Sequence, residues 1–537
     1  MSQDTQPWWR GAVIYQIYPR SYQDSNGDGV GDLPGITRRL DHIAALGVSA
    51  IWISPFFRSP MKDFGYDVSD YCDVDPVFGT LADFDALLEK AHSLGLKVII
   101  DQVYAHTSDE HAWFAESRTS RSNPKADWFV WRDPKPDGAP PNNWQSVFGG
   151  PAWTWDARRG QYFMHNFLSS QPQLNVHNPE VQDALLGVAK FWLDRGVDGF
   201  RLDAINFAMF DPEFRDNPPW PAEGRTITRP FDLQHHIHNQ SHPDIPLFME
   251  RVRKLADGYG DIYTVAEIPG PDPIPEMRAF TAEGRLSSAY SFDFLYAKSL
   301  SARRVKTAQM NWAGPFSEGW AAWAFSNHDA PRCISRWCPP GSDLVAYAKL
   351  TNALLLCLRG NPILYQGEEL GLTQAEIAFE DLRDPEAIAN WPLTLGRDGA
   401  RTPMPWINDN SYAGFSEVKP WLPVGAGHAL QAAAAQYGQP FSVLEFTRLV
   451  IAVRNGSAAF RLGEVSFPET PAALLAIERS FEGERVVCLF NLTNAPQEVG
   501  MPLPAARTLL ASDGTMRVPE RLAPFGVWIG ALDNKAP

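Results

Sequence analysis

The stretch Gly199-Phe-Arg-Leu-Asp-Ala-Ile-Asn206 decides the fold and points at the chemistry. Phe191 to Val197 before it reads as the end of a helix closed by Gly196, so a short apolar strand ending in charge follows a helix. Side chains two apart on a strand share a face, which sets Arg201 beside Asp203. A neighbouring guanidinium favours the ionised carboxylate, and an ionised, partly desolvated carboxylate is a usable nucleophile. Taken alone, the two residues read equally well as a structural ion pair, so their neighbours have to decide.

Working outward, the same unit repeats. Short apolar strands are expected at Ala12–Ile17, Ala50–Ser54, Lys97–Asp101, Gly199–Leu202, Tyr263–Ala266, Ser288–Phe292, Ala321–Phe325 and Asn361–Tyr365, with helices such as Ile36–Leu46 and Leu81–Leu94 stopped by Gly47 and Gly95. Alternating strands and glycine-closed helices make an α/β chain with a parallel sheet, and eight such strands are the number a (β/α)8 TIM barrel needs. A long stretch rich in Trp, Pro, Asn and Gly interrupts the repeat after the third strand, at residues 105–174. A loop-rich insertion there emerges at the C-terminal face of the barrel and walls its pocket. A second irregular region, Gly367 to Pro440, faces it from after the eighth strand. Residues 1–104 and 175–459 are thus read as the barrel, with a helix over Leu444–Ala459, and residues 460–537, with short alternating strands at Ala473–Ile477 and Arg485–Phe490, as a C-terminal all-β domain, a small β-sandwich.

Length and charge bound the function. A chain of 537 residues has room for a large barrel with appendages. With 63 acidic against 47 basic residues the net charge is −16, which argues against nucleic acid or an acidic membrane as partner and for a neutral substrate. The N-terminus lacks a secretory signal pattern and no stretch is apolar enough to span a bilayer, so the expectation is a cytoplasmic protein, monomeric or homodimeric. Five cysteines without metal-type spacing read as buried, reduced thiols.

Early in the chain the loop Asp24-Ser-Asn-Gly-Asp-Gly-Val-Gly-Asp32 repeats oxygen donors at alternate positions. Asp24, Asn26, Asp28, the Val30 carbonyl and Asp32 match the first ligands of an EF-hand loop, although Gly35 stands where its final Glu belongs. The reading is a structural divalent cation, calcium before magnesium.

Polar residues fall at the C-terminal ends of the strands, where barrel enzymes keep their sites: Asp101 and His106, Arg201 and Asp203, Glu267, His328 and Asp329. Carboxylates converging on one apolar mouth raise one another's pKa, and a raised Glu beside an ionised Asp is the pair that glycoside hydrolysis requires. Asp101-Gln-Val-Tyr-Ala-His106, Gly199-Phe-Arg-Leu-Asp203, Val265-Ala-Glu-Ile268 and Phe325-Ser-Asn-His-Asp329 resemble, in order, the four sequence regions of glycoside hydrolase family 13. The acidic loop, Gly65-Tyr-Asp-Val-Ser-Asp-Tyr71, Gln171-Pro-Gln-Leu-Asn175 and Ala400-Arg-Thr-Pro-Met-Pro405 are similar to its α-glucosidase and oligo-1,6-glucosidase branch. The resemblance implies a retaining double displacement with Asp203 as nucleophile, Glu267 as acid and then base, and Asp329 stabilising the transition state. It further implies that His106 and His328 bond sugar hydroxyls, that Arg201 orients Asp203, and that Asp63 pairs with Arg401 to grip the terminal glucose over Tyr66, which makes the enzyme exo-acting.

Three departures from the family pattern narrow the substrate. Ala105 stands where an Asn usually precedes the His, and Gln173 where an acid is usual. Ala204 follows the nucleophile, as small residues do in α-1,4-preferring members, so short α-1,4-glucosides such as maltose are expected. Phe148, Phe167 and Phe294 are candidates for an apolar acceptor side that favours transfer to sugars or alcohols over water. The alternatives are a glucosyl isomerase acting on sucrose or a trehalose-forming mutase, though no Arg-Leu-Asp-Arg-Asp run like that of the sucrose isomerases occurs, and a non-catalytic relative kept as an interaction domain.

Overall fold

Eight parallel strands are ordered β6-β5-β4-β3-β2-β1-β8-β7, where β1 is Ile14–Ile17, β2 Ala50–Ile53, β3 Lys97–Val103, β4 Gly199–Asp203, β5 Tyr263–Ile268, β6 Ser288–Ser291, β7 Ala322–Ala324 and β8 Asn361–Tyr365. A parallel bridge between Ala289 and Ala321 joins the two outer strands, so the sheet closes on itself. All eight strands expected from the sequence are present. The computed structural model describes residues 6–224, 227–270, 273–312, 319–394, 396–408, 411–503 and 506–532.

The connecting helices are α1 Leu33–Leu46, α2 Leu81–Ser93, α3 Pro179–Asp194, α4 Ile245–Asp257, α5 Pro273–Phe280, α6 Ala302–Met310 and α7 Leu344–Cys357, and α8 Val443–Asn455 follows the last strand. Their ends are written in the sequence. Asp32 caps α1 by accepting from Gly35 N at 2.6 Å, and Gly47 closes it at φ 83°, a conformation that suits glycine. Thr80 and Asp83 cap α2 reciprocally. The inward stripe of α1, Ile36, Leu40, Ile43 and Leu46, is buried at helical spacing. The single helix expected over Leu444–Ala459 is two: α8 stops at Asn455, and Ser457 caps a second helix, Ala458–Leu462, through Phe460 N.

Strand parity explains the barrel interior. Ile14, Ala50, Ile99, Tyr263, Val265, Ala322 and Ile363 form one buried cluster inside the ring. Gly199 belongs to this layer because a Cβ there would lie 2.6 Å from the Tyr263 carbonyl oxygen. Two residues beyond Ile14, Ile99, Gly199 and Val265 the same inward face turns polar, with Gln16, Asp101, Arg201 and Glu267.

Between β3 and α3 lies an antiparallel sheet of Trp131–Arg132, Gln161–Met164 and Trp153–Asp156, tied to the barrel where Leu174 N donates to Ala105 O. At the other end, β9 Glu464–Ser466, β10 Leu474–Phe481, β11 Glu484–Asn491, β12 Ala506–Ala511 and β13 Val527–Leu532 form an antiparallel sheet in the order β9-β10-β11-β13-β12. Alternation splits its side chains: Leu475, Ile477, Val486 and Cys488 join the main core, while Leu474, Ala476, Val487 and Leu489 pack with Val499 and Leu522 outside. The outer layer of the expected sandwich is only the ribbon Gln497–Glu498 with Arg521–Leu522. Among the described residues no helix is long and apolar enough to cross a membrane.

Candidate active site

Arg201, wholly buried on β4, organises one half of the site. Its Nη1 lies 2.7 Å from Asp101 Oδ1 and 2.5 Å from Asp203 Oδ1, its Nη2 lies 2.5 Å from Glu267 Oε1, and Nη2 also donates to the Tyr290 hydroxyl at 3.0 Å. The guanidinium rests 5.0 Å from the Trp52 ring, whose Nε1 donates to Asp101 Oδ2 at 3.0 Å. Glu267 also accepts from the Tyr290 hydroxyl at 3.0 Å and from Ala204 N at 3.0 Å. That last bond requires Ala204 to sit at φ 37°, a left-handed conformation that is strained for a residue with a Cβ.

Three carboxyl groups around one guanidinium cannot all be neutralised. Burial, outweighing the opposing pull of Arg201 and reinforced by the Asp203 and Asp329 charges, pushes Glu267 up to about 7. Burial raises Asp203 as well. The two carboxyls rise together and share the proton that remains on the pair, Glu267 being the less exposed, with 5% of its side chain open against 12% for Asp203. Asp329 is different. Burial works against its charge, yet its neighbours hold it well below the usual carboxylate range: His328 where that ring is protonated, and the Arg401 and Arg397 charges throughout.

The second half of the site corrects the sequence reading. Asp63 does not pair with Arg401: its Oδ1 lies 2.9 Å from Arg397 Nη2, and its Oδ2 accepts from Gln171 at 3.1 Å. Arg397 also bonds Asp384 at 2.7 Å and stands 5.0 Å from the Phe148 ring. Arg401 donates instead to Asp329 Oδ1 and to the His328 carbonyl, each at 2.7 Å. The two arginines lie on either side of the single turn Asp398–Ala400 and both approach Asp329, Arg397 Nη1 at 3.5 Å from its Oδ1, while Arg397 alone bonds Asp63. His328 is fully buried, and its nitrogens are taken inside the protein: Nδ1 accepts from Gln16 at 2.8 Å, and Nε2 is 2.6 Å from the Tyr66 hydroxyl and 3.1 Å from Asp329. Burial pushes His328 down to about 3, so the ring is neutral. Tyr66 stacks on it at 5.4 Å and 5°. His106 donates from Nε2 to the Tyr66 carbonyl at 3.1 Å, with Gln171 Nε2 3.2 Å from the same nitrogen, and its Nδ1 is buried without a partner.

A cavity of about 1030 Å³ opens onto these groups. Asp63, Tyr66, His106, Phe148, Phe167, Asp203, Ala204, Glu267 and Asp329 line it, whereas Arg201, His328 and Arg401 stand behind the wall. Phe294 is not at the site: it packs in the core against Trp323 and Phe325. The sequence reading missed Arg397, Tyr296 and most of the wall between Asp203 and Ile245, including Phe207, Trp220, Phe231 and His242. The unusual length of that connection, rich in Pro and His, was the available signal. The departures at Ala105 and Gln173 have structural counterparts. Ala105 joins Ala204, Phe207, Val147, Phe167 and Phe231 in one apolar cluster. Gln173 accepts from Asn166 at 2.9 Å and donates to Phe207 O at 2.8 Å, a donor role that a carboxylate could not fill.

The acidic loop holds oxygen donors of the right kind in another arrangement. Asp24 accepts from Asn26 N, Gly27 N, Gly29 N and Ser416 Oγ, and Asp32 is engaged with Gly35 N and with Ser25. Asp24, Asp28 and Asp32 do not bring three ligand oxygens within 4.8 Å of one another. Asn26, Asp28 and the Val30 carbonyl keep unused lone pairs, so the loop fits a cation in donor type, with Asp24 needing to release a donor first.

Residues 16–463 match the model of the alpha amylase catalytic domain, and residues 461–527 match a domain of unknown function, DUF3459. The chain is 53% identical over 503 residues to a probable alpha-glucosidase of Rhizobium meliloti (strain 1021), covering 92% of this chain and 91% of that one. Among solved structures it resembles the alpha-glucosyl transfer enzyme XgtA, with a TM-score of 0.94, 50% identity and coverage of 98% and 100%. It also resembles the trehalulose synthase MutB from Pseudomonas mesoacidophila MX-45, with a TM-score of 0.88, 32% identity and coverage of 98% and 100%. A buried carboxylate trio at the C-terminal end of a (β/α)8 barrel and a family model spanning most of the sequence agree: the chain belongs to the α-amylase family of glycoside hydrolases, family 13.

Proposed function

We propose that the enzyme is an exo-acting, retaining α-glucosidase that releases or transfers the terminal glucose of short α-1,4-glucosides such as maltose. The observation that carries the reading is the trio Asp203, Glu267 and Asp329 lining one pocket together with the buried Asp63–Arg397 pair. Asp203 Oδ1 is bound to Arg201, which leaves Oδ2 to attack the anomeric carbon. Glu267, protonated, gives its proton to the leaving oxygen, and its carboxylate then takes one from the incoming hydroxyl. Asp329, kept ionised by its cationic neighbours, faces the positive charge that develops on the ring. Two catalytic carboxyls gripped by adjacent nitrogens of one guanidinium suit the spacing of about 5–5.5 Å found in retaining enzymes rather than the wider gap that admits a water.

In this reading the terminal glucose docks against the Asp63–Arg397 pair, which would bar a longer chain on that side and make the enzyme exo-acting. The apolar cluster of Val147, Phe167, Phe207 and Phe231 beside Ala204 supports transfer, because it lowers water density where the acceptor stands. A sucrose-type isomerase is the second reading, favoured by the likeness to a trehalulose synthase. Five free cysteines fit a reducing compartment, and the proposal places the enzyme in the cytoplasm. A proton NMR time course with concentrated maltose tests the reading from its first minutes. An early α-to-β ratio of glucose above that of the maltose reducing end, or new α-glucosidic signals, is expected. An early ratio below that of the reducing end would overturn retention, and turnover of sucrose but not maltose would install the isomerase.

A further inference from the structure

His177, which immediately precedes the cap of α3, and His242 and Asp244, which precede α4, offer three ligand atoms that lie within 4.8 Å of one another. The two imidazoles meet edge to face, with ring centres 4.8 Å apart at 90°, and His242 Nδ1 is 3.8 Å from Asp244 Oδ2. His177 Nε2 donates to the Phe210 carbonyl at 2.7 Å. This bond fixes the proton on Nε2 and leaves Nδ1 as a bare lone pair, the outer hydrogen bond that metal-binding histidines usually carry. Nδ1 of His242 also presents a lone pair, met only by a long contact of 3.3 Å from Asp244 N.

We propose that His177, His242 and Asp244 bind a borderline divalent ion of the zinc class, which staples the start of α3 to the start of α4 at the rim of the substrate pocket. Two imidazoles and one carboxylate select zinc, cobalt or nickel over calcium and magnesium, and they leave open positions for water. The consequence is mechanical. His242, Pro243, Pro246 and Leu247 line the cavity, so an ion on His242 immobilises the end of the long wall that begins at Ala204. No group of the catalytic trio takes part, and the site is separate from the acidic loop, whose donors are all oxygens.

The test uses the full-length protein, freed of metal with a chelator and dialysed, and cobalt(II) as the probe. One equivalent should produce a visible ligand-field band stronger than that of hydrated cobalt, and His177→Ala or His242→Ala should each weaken binding by about 100-fold or more. Because His177 does not line the cavity, His177→Ala should retain basal turnover yet escape any slowing by micromolar zinc seen in the parent. Should one variant fail to fold, the other reads the same band. A spectrum no different from hydrated cobalt, or a band that survives in the folded variants, overturns the proposal.

Discussion

Two arginine-centred clusters meet at the pocket, and they differ in charge balance. Arg201 faces three carboxyl groups alone: Asp101, Asp203 and Glu267. Arg397 and Arg401 together face Asp63, Asp384 and Asp329. In the first cluster negative charge is in excess, and burial drives Glu267 up to about 7 and Asp101 up to about 6. In the second, Asp329 and Asp384 are held below the usual range, although burial still lifts Asp63. One cluster is poised to move a proton, and the other is poised to keep its charges fixed. The same residue types serve chemistry or grip according to how many cations share them.

The largest effects should separate the two. Asp203→Asn removes the proposed nucleophile and should lower kcat by about four orders of magnitude or more while circular dichroism and the melting temperature stay near those of the parent. Near-parental turnover would remove Asp203 from the mechanism. Arg397→Ala should act the other way round. It strands Asp63 and Asp384 in the interior, and breaking a buried ion pair costs about 3–5 kcal/mol, so urea denaturation should show a large loss of stability. In protein that still folds, KM for maltose should rise further than kcat falls. A variant of parental stability and KM would make the second cluster a bystander.

The first cluster was legible in the sequence, because strand parity alone sets Arg201 beside Asp203 and the strand ends gather Asp101 and Glu267. Of the second, the family resemblance pointed to Asp63, Asp329 and Arg401 but not to Arg397 or to the pairing. Arg397 and Arg401 lie four residues apart in an irregular segment with a single turn between them, and no periodicity decides which side chain faces Asp63. The wall from Phe207 to His242 stayed dark for the same reason: its side chains converge through loop packing, which has no repeat to read. The break between α8 and the helix at Ala458 was visible as Gly456-Ser457, a stop followed by a cap, and was passed over because the apolar pattern runs through it.

Smaller effects sharpen the contrast through pH. Glu267 must be protonated to act as acid, so kcat/KM should fall by about tenfold per pH unit above its value of about 7. The same shift bears on stability. Its folded-state value lies above the ordinary 4.5, so the stability that this group contributes is complete below pH about 4.5 and is lost as pH rises through 7. Glu267→Gln keeps the shape without the charge, so at pH 8 it should be more stable than the parent by about 1–3 kcal/mol and inactive on maltose. Equal stability of the two proteins at pH 8 would mean that the excess charge around Arg201 is relieved elsewhere, for instance on Asp101.

The smallest expected effect concerns the acidic loop, where anionic oxygens gather with no arginine at hand. Here backbone N–H groups and hydroxyls take the place of the guanidinium: three N–H groups and the Ser416 hydroxyl surround Asp24, and Gly35 N and Ser25 hold Asp32. We propose that calcium binds at Asn26, Asp28 and the Val30 carbonyl once Ser416 releases Asp24. Because the loop ends at the cap of α1, on the outside of the barrel, binding should change stability and leave chemistry alone. At a hundredfold excess over Kd an ion adds about 3 kcal/mol, which should raise the melting temperature of chelator-treated protein by about 2–5 °C with no change in kcat/KM. Asp28→Asn should abolish most of that rise. If calcium moves neither protein, the backbone donors already satisfy the loop, and its EF-hand spacing is that of a turn stabilised by its own hydrogen bonds.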